Sequence, residues 1–187
     1  MDRTSLRGPA KGFTLVEMMI VLVVLATLLS VGLPMMRGQL ATSRLQSETS
    51  RFLGAINLAR SEAVMRNQPV SLCPSAMAET GVAQCSGIYA AGWIVFTNAD
   101  RDAVVDAGLD EVLQIFSGLP AGYQLTNRSG TRDASRLINY LPNGSSHSPR
   151  TFLFCAPPDS AAAPLSIVMN IVGRARLAEG WGECPTA

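Results

Sequence analysis

The sequence predicts an α+β fold in which one long N-terminal helix lies on a mostly antiparallel β-sheet, and three observations carry that prediction. Residues Phe13 to Leu33 form an almost unbroken apolar run. Apolar residues then recur at helical spacing as far as Arg66 or Asn67. After Pro69 the period shortens to that of strands, with β-branched and aromatic runs parted by Gly, Pro, Asn and Asp. A chain of 187 residues with one such apolar segment has room for a single globular domain.

The first element, FTLVEMMIVLVVLATLLSVGL, is about 30 Å long as a helix, enough to cross the hydrocarbon of a bilayer. A secretory signal peptide has a shorter apolar core followed by a small-residue cleavage site. Here Pro34 and a basic, polar continuation follow instead, so the segment is expected to be retained. Pro34 lacks an amide hydrogen and is expected to kink or locally melt the helix. Glu17 lies a few residues into the run, where an unpaired carboxylate at bilayer depth costs about 3 kcal/mol and calls for a partner.

Lys11 to Glu17 read KGFTLVE, which resembles the processing site of type IV pilins and pseudopilins. The resemblance implies that prepilin peptidase cuts between Gly12 and Phe13, so that residues 1–12 are a leader and Phe13 becomes an N-methylated terminus. It also implies that Glu17 pairs with the terminal amine of a neighbouring subunit during filament assembly. Residues 13–34 are then a transmembrane and filament-core helix, single-pass in the inner (cytoplasmic) membrane, with a periplasmic head. Arg3, Arg7 and Lys11 favour a cytoplasmic start, but Arg37, Arg44 and Arg51 follow the helix, so the orientation rests on the resemblance.

Over 35–67 the helix is expected to continue as an amphipathic one. Leu45, Phe52, Ile56, Ala59 and Ala63 share a stripe, while Arg44, Glu48, Arg51 and Glu62 fall mostly elsewhere on the wheel. The remainder, 68–187, reads as a β-rich head. Its strand candidates are PVSLC, GWIVF, EVLQIF, LINYL, TFLFC and LSIVMNIV. Trp93, Val95, Ile115, Phe152, Phe154, Ile167 and Met169 are expected in the core, because alternate strand positions face the helix.

Four cysteines, Cys73, Cys85, Cys155 and Cys184, admit three pairings, and none has the CxxC spacing of a zinc or redox site. Outside the cytoplasmic membrane two structural disulfides are the expectation. The order of pilin helix, VSLCPS, GWIVFTNADRD, DEVLQIF, FLFC, IVGRAR and a final cysteine resembles the FimT/GspH family of type IV minor pilins and type II secretion pseudopilins. That resemblance runs from Phe13 nearly to the end, and it implies the pairs Cys73–Cys85 and Cys155–Cys184. Loops of those sizes contribute about 3 kcal/mol each by restricting the unfolded chain. It further implies a structural subunit of a pilus or secretion filament whose partners are other pilins or pseudopilins.

A net charge of +1 excludes a globally basic nucleic-acid binder. No cofactor is expected, and no metal. Asn98, Asp100, Asp102, Asp106, Asp110 and Glu111 crowd one turn region, but an EF-hand begun at Asn98 puts Ala103 in place of the turn glycine and Leu109 in place of the bidentate glutamate. Enzyme chemistry is not expected either: the single histidine, His147, sits in the turn NGSSHSPR without a recognisable catalytic constellation. The segment GRAR, Gly173 to Arg176, is the candidate binding site. Arg174 and Arg176 project from one face of an extended segment and can grip successive phosphates, with Trp181 as a stacking surface. This GRxR pattern resembles the segment by which FimT-type minor pilins bind double-stranded DNA in natural transformation, the alternative function. Arg128, Arg132, Arg136 and Arg150 enlarge that patch if the loops bring them close.

Overall fold

The computed structural model describes residues 12–146, 148–160 and 162–185, without the side chains of 31–37. The leader before Gly12 and the turn histidine His147 lie outside the described residues. Helix α1 runs Leu15–Arg66, ending where Asn67 takes a positive φ of 53° and Pro69 follows. Its backbone is helical through Pro34, so of the kink or local melting expected there the melting does not occur. One missing amide donor removes a single bond from a ladder that the flanking turns maintain. The chain divides into two compact units, Met1–Arg37 and Gly38–Ala187.

In the second unit, eight strands follow the helix: β1 Val70–Pro74, β2 Gly92–Thr97, β3 Val112–Ser117, β4 Gln124–Asn127, β5 Ile138–Tyr140, β6 Arg150–Cys155, β7 Leu165–Met169 and β8 Ala175–Glu179. The sequence leads one to expect a single sheet; the structure has two, each four-stranded and antiparallel, ordered β3-β2-β1-β5 and β4-β6-β7-β8. The strands without a counterpart in the apolar pattern are β4 (QLTN) and β8 (ARLAE), both edges of the second sheet. Edge strands bury less side-chain surface and tolerate polar composition, which hides them from a hydrophobicity reading.

Phe52 of α1 joins helix and sheets. It is fully buried and meets four rings edge-on, with centroids 5.1 Å away for Tyr89, Trp93 and Phe152 and 5.6 Å for Phe154. Trp93 belongs to the first sheet and Phe152 and Phe154 to the second, so one helical side chain seals both inner faces. Leu45, Ile56, Ala59 and Ala63 are buried along the same stripe. A smaller cluster of Cys73, Ile94 and Phe96 forms on the other face of the first sheet, closed by the Cys73–Cys85 disulfide.

Of the expected core residues Ile115 is the exception, at 44% exposed. It pairs with Ile94, which faces away from the helix, whereas its neighbour Phe116 pairs with Trp93. Strand β3 is an edge, and a bulge between Val95 and Phe96 shifts its register, so counting alternate residues along EVLQIF selects the wrong face. The run LSIVMNIV likewise ends as strand at Met169, and Ile171 and Val172 lie exposed in the turn that follows.

Phe52→Ala removes a ring that nothing else can replace and is expected to cost about 3–5 kcal/mol. The urea midpoint of the oxidised protein, followed by tryptophan fluorescence, measures it; a shift as small as that of a surface substitution would show that the two sheets cohere without this ring.

Candidate functional site

At the N-terminal end, Thr14 precedes the helix and caps it. Its Oγ1 accepts from the Glu17 amide at 3.2 Å, and its carbonyl accepts from the Met18 amide at 3.2 Å. The sequence TLVE has the Thr-x-x-Glu pattern of a capping box, of which the half made by the Thr14 hydroxyl and the Glu17 amide is formed. The carboxylate also sits in the first turn, where the positive end of the helix dipole favours it. Phe13 is 80% exposed, and the large apolar side chains from Leu15 to Leu29 are exposed along the whole segment. Among the described residues no helix is long and apolar enough to cross a membrane; the apolar sequence runs on into positions 31–37, whose side chains lie outside the description.

The β2–β3 connection holds the acidic residues. Asn98 is fully buried and anchors the loop, its Nδ2 donating to Ser71 Oγ at 2.9 Å and to Asp102 O at 2.8 Å. Asp102 Oδ1 accepts from the Val104 amide and Asp110 Oδ2 from the Asp106 amide, so these side chains satisfy the loop backbone. Carboxylate oxygens of Asp100, Asp102 and Asp106 lie within 4.8 Å of one another. Partial burial, together with Asp100, Asp102 and Asp110, raises the pKa of Asp106 above the usual carboxylate range. Glu111 is turned to α1 and pairs with Arg66 at 2.6 Å.

The segment GRAR forms the turn and first strand residues of the β7–β8 hairpin. Gly173 has φ 77°, and a side chain there would run into the Gly144 carbonyl and the Tyr140 ring. Its own carbonyl accepts from the Tyr140 hydroxyl at 3.0 Å. Packing against Tyr140 and Gly144 therefore already requires glycine at this position. Asn170 and Arg174 close the turn through Asn170 N to Arg174 O at 3.0 Å and Arg174 N to Asn170 Oδ1 at 2.9 Å. Arg176 pairs with Val168 in register, so Arg174 and Arg176 occupy positions on one face, and both are exposed.

The arginines separate into two groups. Arg176 lies over the Trp181 ring at 5.7 Å and Arg128 lies over the same ring at 5.1 Å. The Cys155–Cys184 disulfide and the Glu183 amide, which donates to Arg128 O at 3.4 Å, fasten this tail to the body. Arg128 also lines, with Arg132, Arg136 and Arg150, a separate open depression between the β4–β5 connection and the start of β6. Arg174 belongs to neither contact. No signal in the sequence gives this partition, because it depends on where the C-terminal tail crosses the Arg128 turn.

Residues 48–173, more than half of the chain, match the family model described as Type II transport protein GspH, and residues 7–33 match the Prokaryotic N-terminal methylation motif. No curated protein matches the chain. The fold is similar to that of the type IV minor pilin FimU of Pseudomonas aeruginosa, with 17% identity and a TM-score of 0.52 over 73% of this chain and 89% of that one. A second crystal form of FimU gives 16% and 0.50 over 71% and 91%. The minor pseudopilin EpsH of Vibrio cholerae gives 14% and 0.49 over 73% and 97%.

Proposed function

The chain belongs to the Type II transport protein GspH family, and from that premise we propose that it is a minor pilin or pseudopilin, a structural subunit of a type IV pilus or type II secretion filament. Prepilin peptidase cuts between Gly12 and Phe13, and Phe13 is then N-methylated. The protein waits in the inner membrane with its head in the periplasm until it is drawn into the filament. One observation carries this reading: a helix segment that is apolar all round, exposed in its own chain from Leu15 to Leu29, with a single carboxylate in its first turn. Exposed apolar surface of that extent is covered by lipid before assembly and by other helices after it.

Glu17 then has two successive partners. Within the chain the positive end of the helix dipole favours its carboxylate; in the filament the amine of a neighbouring Phe13 neutralises it, because an uncompensated buried charge costs several kcal/mol. Glu17→Ala is expected to leave membrane insertion intact and to abolish incorporation into filaments, as read by fractionation of sheared filaments against membranes. Normal incorporation would refute the pairing.

A second reading is favoured by Arg128 and Arg176, whose guanidinium groups lie over the exposed Trp181 ring and are held there at the surface for phosphate contact. Here the same subunit captures double-stranded DNA during uptake, through Arg174 and Arg176. Replacing both by glutamine should then abolish salt-sensitive duplex binding and transformation while filaments form normally. Unchanged DNA uptake in that variant removes this reading and leaves the structural one.

A further inference from the structure

Charge on the unit Gly38–Ala187 is segregated. It carries eleven arginines and twelve acidic residues, yet five of the acids lie between Asp100 and Glu111. Four of the arginines, Arg128, Arg132, Arg136 and Arg150, line one open depression of about 660 Å³ in which Asp133 is the one acid among the described residues. Among the described residues the ion pairs join Arg51 to Glu48 and Arg66 to Glu62 and Glu111, so none of the four is neutralised. Arg150 is half-buried and donates to Arg136 O at 2.9 Å. Burial, and then the Arg136 guanidinium, press its pKa down. Cations crowded together without a counter-charge are relieved by a bound anion, and guanidinium forks match carboxylates.

We propose that this depression docks a carboxylate-rich loop of a neighbouring filament subunit, an inference that rests on the subunit reading above. A near-neutral unit offers a long polyanion little long-range attraction. A depression walled by Arg132, Arg136, Arg150 and the hydroxyl residues Ser129, Ser135 and Ser148 is the right size for a few carboxylates. The acidic β2–β3 loop of this chain has the required chemistry and supplies the probe.

Arg132 and Arg136 are exposed, and their side chains make no hydrogen bond among the described residues, so replacing them spares the fold. Arg150 is left intact because its side chain holds the Arg136 carbonyl. The test uses the full chain in neutral-detergent micelles and a fluorescein-labelled peptide of Asn98–Glu111, read by anisotropy. The peptide should bind, more weakly as salt rises, and lose about tenfold or more in affinity with Arg132→Gln/Arg136→Gln. Arg132→Lys/Arg136→Lys should retain a good part of the binding, which separates lost charge from lost fold. Equal binding by the glutamine variant, equal binding of a peptide with every Asp and Glu changed to Asn and Gln, or no binding at about millimolar peptide overturns the proposal. Duplex DNA bound through these arginines when the peptide is not would assign the depression to nucleic acid and overturn it as well. None of these failures touches the subunit reading, which Glu17→Ala tests on its own.

Discussion

Covering the apolar surface of one helix is the constraint on which the rest of this protein depends. Two kinds of sequence share the same continuous backbone of α1. From Leu15 to Leu29 the apolar side chains point in every direction and remain exposed in the isolated chain, so the segment needs lipid or other helices around it. From Leu45 to Ala63 they occupy one stripe, and the chain buries them itself beneath two sheets. A protein built on such a helix has a self-sufficient unit and a unit that is completed only by its surroundings.

Within the self-sufficient unit, Phe52 transmits that division to the sheets. Its ring meets Trp93 from one sheet and Phe152 and Phe154 from the other. Arg51, its neighbour in sequence, lies 4.7 Å over the Trp93 ring and donates to Ser117 Oγ and Gly118 O at the end of β3. The two disulfides act away from this centre. Cys73–Cys85 closes the outer face of the first sheet, and Cys155–Cys184 ties the C-terminal tail to β6. That tail carries Trp181, so the staple that helps fold the unit also sets the surface on which Arg128 and Arg176 meet.

The fold was legible where burial and sequence period coincide. The end of α1 and its buried stripe, and strands β1, β2, β6 and β7, follow from apolar spacing and from Pro69. Legibility failed at three of the four edge strands; the fourth, β5, keeps its apolar alternation in LINYL. The polar β4 and β8 carry no apolar alternation, and on β3 a bulge exchanges the faces of Ile115 and Phe116. Site residues divide in the same way. KGFTLVE is a local motif, and the Thr14 cap on the Glu17 amide inside it is a signal of the same local kind. GRAR was visible as a string, but Gly173 answers first to Tyr140 and Gly144, which are brought to it from distant sequence. Because the loops that place Arg128, Arg132, Arg136 and Arg150 have no periodicity, their depression became visible only in three dimensions.

Mass spectrometry of the N-terminal peptide of the protein isolated from membranes tests the central claim most directly, since a filament subunit of this kind is defined by how its helix begins. The account predicts a peptide that starts at Phe13 and carries one added methyl group. A protein that keeps Met1, or that is cut on the C-terminal side of the apolar run, would contradict it.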